Sequence, residues 1–96
     1  MDNKKIDSLL EELTKKNSEY SKLCMNVAET RRVVSELYAK KILGLQKLGT
    51  HITLVKDLAK GSDVVLDAKH KVVIAELKMK ECSDSIKTIQ VKMGMV

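Results

Sequence analysis

The chain has 96 residues, no Pro, Trp or Phe, and only Tyr20 and Tyr38 as aromatics, so its apolar content rests on Leu, Val, Ile, Met and Ala, a palette suited to helices. Charged residues at 32% exclude a membrane span and apolar residues at 44% exclude a disordered tail; the longest uncharged run, Leu48 to Val55, falls far short of the roughly 20 residues a bilayer requires. The net charge of +5 is spread over both halves, which gives a mild attraction to anionic surfaces and no specific site.

From Ile6 the apolar residues recur in steps of three and four through Leu9, Leu10, Leu13, Tyr20, Leu23, Cys24, Val27, Val34, Leu37, Tyr38, Ile42, Leu45 and Leu48. That period is helical. Lys16 and Thr30 interrupt the stripe, and Asn17 or Ser18 offers a side-chain acceptor for a helix start. The spacing therefore predicts a short helix over about 5–16 and a longer one over about 18–48.

Gly44 falls inside the period, whereas Gly49 followed by Thr50 reads as a helix end with a new cap, placing a turn near 48–50. A second stripe, Ile52, Val55, Leu58, Ala59, Val65, Leu66, Val72, Val73, Met79, Cys82, Ile86, Ile89 and Met93, predicts a long helix over about 51–93. Gly61-Ser62-Asp63 predicts a kink or turn at 61–62, with Ser62 as N-cap. The β-branched pieces at Ile52 to Val55 and Val72 to Ile74 lie within this helical period, so helix is preferred to strand.

The expected fold is all-α, a single module of long antiparallel helices arranged as a hairpin or three-helix unit, coiled-coil-like and belonging to a larger helical bundle. The candidate packing residues are Leu9, Leu13, Leu23, Val27, Val34, Leu37, Tyr38, Ile42, Leu45, Val65, Val72, Met79 and Ile86. Stripes of this length exceed what one small chain can bury, so a second copy or another helical protein is the expected partner.

Catalytic signatures are missing from the sequence. His51 and His70 are too far apart for a helical metal pair, the glycines are isolated, and no phosphate loop or nucleophile elbow occurs. Neither enzymatic activity, nor a metal, nor a cofactor is expected. Cys24 and Cys82 lack C-x-x-C spacing and a secretory signal, which predicts reduced, half-buried helix residues in a cytoplasmic protein.

Arg31, Arg32, Lys40, Lys41 and Lys47 form a basic sector in the first half. Without interleaved aromatics or a recognition-helix signature it does not suit nucleic acid, whereas an anionic membrane surface asks only for charge.

The segment TRRVVSELYAKKILGLQKLGT, residues 30–50, resembles the N-terminal FCH region of the F-BAR family. Arg31 matches the family arginine seven before the tyrosine, Val34 the aliphatic four before it, and Tyr38-Ala39-Lys40 the motif itself, with Leu45 and Lys47 continuing it. Thr30 and Ser35 stand where the family usually has Glu, and its N-terminal aromatics are missing. The resemblance implies a dimer that binds anionic membranes in endocytosis or actin-linked remodelling, peripheral to the bilayer, of which this chain is an N-terminal portion. The alternative is a helical adaptor or co-chaperone subunit that packs on a protein partner and ignores lipid.

Overall fold

A computed structural model of the chain describes residues 3–94. It holds three helices, α1 (Asn3–Lys47), α2 (Ile52–Lys60) and α3 (Asp63–Lys92). The molecule is a rod of 70 × 17 × 16 Å, and its radius of gyration of 20.7 Å far exceeds the roughly 12 Å of a compact chain of this length. Its cross-section fits two helices side by side. The fold is an all-α antiparallel hairpin in which α1 is the outgoing arm and α2 with α3 the return.

The expected boundary at residues 16–18 does not occur, because α1 runs through it unbroken. A cap residue ends a helix only where the chain leaves helical geometry, and Asn17 and Ser18, both exposed, remain inside it at a propensity cost of a few tenths of a kcal/mol each. Nor do Lys16 and Thr30 interrupt the packing, since both are half-buried on the packed side of α1. Lys16 lays its stem along the seam and carries its ammonium out to Glu19 at 3.3 Å. Thr30 returns its hydroxyl to the carbonyls of Asn26 and Val27 at 2.9 and 3.0 Å, which satisfies its polar atom locally.

At the hairpin tip Gly49 takes φ +77°, its N–H donates to the Gln46 carbonyl at 3.0 Å and the Thr50 N–H to that of Leu45 at 3.1 Å. The pair of bonds satisfies carbonyls that the helix end leaves free, in a conformation only glycine adopts without strain. The new cap is His51 rather than Thr50, its Nδ1 accepting the Thr53 N–H at 3.3 Å.

The kink at 61–62 is a full helix break. The Gly61 N–H closes on the Asp57 carbonyl at 3.0 Å, Ser62 turns extended, and its hydroxyl accepts the Val65 N–H at 3.4 Å. Lys60 in the last turn of α2 and Asp63 in the first turn of α3 match the two helix dipoles that meet there. Ile52 to Val55 and Val72 to Ile74 are helical, as the longer period requires.

Candidate helix-packing interface

The inner seam of α3 steps by three and four through Val65, Ala68, Val72, Ala75, Met79, Cys82, Ile86, Ile89 and Met93, every one buried or half-buried. This is a regular heptad spacing, and it packs on the matching α1 positions Leu9, Leu13, Tyr20, Leu23, Val27, Val34 and Leu37. The arms are antiparallel, with the Cys82 thiol donating to the Lys16 carbonyl at 3.4 Å and Cys24 Sγ lying 3.6 Å from Met79 Sδ. Both cysteines are free; Cys24 is half-buried, while Cys82 is more enclosed than expected, fully within the seam. The Cys24 side chain, one turn along, also raises the Tyr20 phenol above its ordinary range through a hydrogen bond.

All thirteen packing candidates are buried or half-buried: Leu9, Val27 and Val65 are buried, and Leu13, Leu23, Val34, Leu37, Tyr38, Ile42, Leu45, Val72, Met79 and Ile86 are half-buried. Tyr38, Ile42 and Leu45 lie near the α1 end that α2 covers, where Val55 and Ala59 are the buried residues of α2.

Other members of the expected second stripe are exposed. Leu66, Val73, Ile52 and Leu58 face solvent; Ala68 and Ala75, two positions on, take the places of Leu66 and Val73 in the seam, while Val55 and Ala59 of the expected stripe are buried. One residue turns a helix face by about 100°, which moves a leucine from core to surface. Alanine at the seam brings the two backbones close and leaves no room for the larger side chain.

Leu66 and Val73 belong to a second seam on the opposite side of α3: Asp63, Leu66, His70, Val73, Leu77 and Lys80, again in steps of three and four, with Ile74 at its margin. Leu66, Val73 and Leu77 are 47%, 51% and 56% exposed. Sequence periodicity merged the two α3 faces into one. The signal that separates them is the strict alternation of steps through Ala68 and Ala75, which is visible only when alanine is counted as apolar.

The five basic candidates do not share a face. At about 100° per residue, Arg31, Arg32, Lys40 and Lys41 point to different sides of α1. Arg31 reaches across the arms to Glu76 at 3.0 Å. Arg32 is clamped between Glu29 and Glu36 on its own helix, its Nε donating to Glu29 at 3.1 Å. The hydrogen bond from Arg32 holds the Glu29 carboxyl below its ordinary range, and the same bond raises the guanidinium. Lys40, Lys41 and Lys47 are exposed and make no ion pair among the described residues.

Among the described residues no group of three or more His, Cys, Asp or Glu is placed to hold a metal, and no helix is long and apolar enough to cross a membrane. An open groove of about 360 Å³ between α1 and α3 is lined by Val33, Leu37, Val64 and Ala68 together with Glu29, Thr30, Asp67 and Lys71. No protein family, curated protein or solved structure matches this chain.

Proposed function

We propose that the chain is a non-catalytic assembly module, a helical hairpin that holds α3 rigid so that its outer seam docks another helix. The observation that carries this reading is the exposure of Leu66, Val73 and Leu77 at heptad spacing, opposite a seam that already fixes the hairpin. An apolar stripe of that regularity is costly to leave in water. It is also self-limiting, because Asp63 and Lys80 close its two ends with charge.

A second reading, that of the F-BAR resemblance, is a peripheral membrane module in which Lys40, Lys41 and Lys47 meet anionic headgroups. It is supported by their exposure and by the absence of an ion-pair partner for them among the described residues. Each lysine near such a surface contributes about 1 kcal/mol. Arg31 and Arg32 add less, being engaged with Glu76, Glu29 and Glu36.

A photo-reactive benzoylphenylalanine at Val73, compared with one at the exposed α1 position Lys22, separates the readings when irradiated in the cells that make the chain. The assembly reading expects protein adducts from position 73 and none from position 22. Adducts to lipid alone, or equal labelling at both positions, would remove it.

A further inference from the structure

Resting on the assembly reading, the structure assigns the outer seam a specific occupant, a second copy of this chain, with the two α3 helices antiparallel about a two-fold axis between His70 and Val73. The seam reads Asp63, Leu66, His70, Val73, Leu77, Lys80, with steps of three, four, three, four and three. That spacing is the same from either end. Turned end to end on a copy of itself, Leu66 of each chain faces Leu77 of the other, His70 faces Val73, and Asp63 faces Lys80.

A two-fold interface must be complementary to itself, and this stripe is. The acid sits one step beyond the apolar segment at one end and the base one step beyond it at the other. Parallel pairing would instead set Asp63 on Asp63, His70 on His70 and Lys80 on Lys80. Like charges would then be opposed at both ends, which selects the antiparallel arrangement.

The chain exposes 7177 Å², about 1,700 Å² more than the roughly 5,500 Å² of a compact monomer of its mass, so the rod has ample unburied surface for a second copy to cover. Two hairpins joined through α3 set four helical arms side by side, with apolar residues in all three contacts. Asp67 and Glu81, beside Ile74, stay at the wetted rim.

The test uses the purified full chain in sedimentation equilibrium, with helix content followed by circular dichroism. The wild type is expected to sediment as a dimer. Asp63→Lys and Lys80→Asp each turn two attractive contacts into repulsive ones and are expected to weaken the dimer about tenfold or more. Mixing the two variants restores opposite charges at both ends, so a heterodimer near wild-type affinity is expected.

Should Asp63→Lys fray the start of α3, Lys80→Asp alone still decides, because its repulsion is screened by salt. Its dimer is expected to tighten with added salt while the wild-type dimer loosens. A monomeric wild type, singles as tightly paired as wild type, a mixture that stays weak with both variants folded, or a salt response of the same sign in both would each overturn self-pairing. Protein adducts from position 73 to another chain, with a monomeric wild type, would overturn this pairing and leave the assembly reading standing.

Discussion

Val65→Asp is expected to unfold the hairpin, with most of the helical circular dichroism lost at 25 °C. Val65 has no exposed surface and begins the inner seam in the first turn of α3. Its burial stabilises the fold by about 1.5–3 kcal/mol. Placing a carboxyl group in that buried position costs several kcal/mol more, even after the group protonates. Small chains with one narrow core keep only about 3–5 kcal/mol in reserve. The helices themselves depend on packing for most of their stability, so losing the seam loses the helix. A variant that keeps wild-type helix content and melting behaviour would show that Val65 is not where the arms meet.

Ala75→Leu and Leu77→Ala are expected to act opposite to what hydrophobicity alone suggests. Ala75 is 2% exposed and Leu77 56%. Adding three carbons at position 75 forces the arms apart and costs about 1–3 kcal/mol. Removing them at position 77 leaves the hairpin's own unfolding free energy within about 0.5 kcal/mol when measured by urea titration at concentrations below chain pairing. The loss at position 77 appears in association instead. If Leu77→Ala proved the more damaging of the two to the dilute hairpin, the assignment of inner and outer faces would be reversed.

The helical period, the turn at Gly49 and the Ser62 cap were legible because each rests on local chemistry: a 3.5-residue recurrence, a positive φ, and a hydroxyl placed to accept the Val65 N–H. The unbroken course of α1 was not. Asn17 and Ser18 carry a cap's chemistry without a cap's backbone, and Lys16 and Thr30 satisfy their polar atoms while lining the seam. Neither fact can be read without the arm that packs beside them.

The faces of α3 were misread for a related reason. Leu66 and Val73 are more hydrophobic than Ala68 and Ala75, so a pattern weighted by hydrophobicity follows the leucine and valine. Close helix packing selects the alanines. The basic residues looked like one sector along the sequence. Helical geometry distributes them around α1, and the acids of α1 and α3 occupy two of them. Charge pairing between arms depends on register, and register is set by the whole hairpin rather than by the local segment.

In the proposed assembly the inner seam of α3 makes the hairpin and its outer seam joins two chains. Dipolar distance measurement between single spin labels tests it most directly, in chains whose Cys24 and Cys82 are replaced by alanine. With the label moved from Ile74 to Glu81 to Thr88, the distance between the two chains is expected to lengthen by about 3 Å per residue, twice the helical rise. A distance that stays constant along the series, or no measurable coupling between chains, would contradict it.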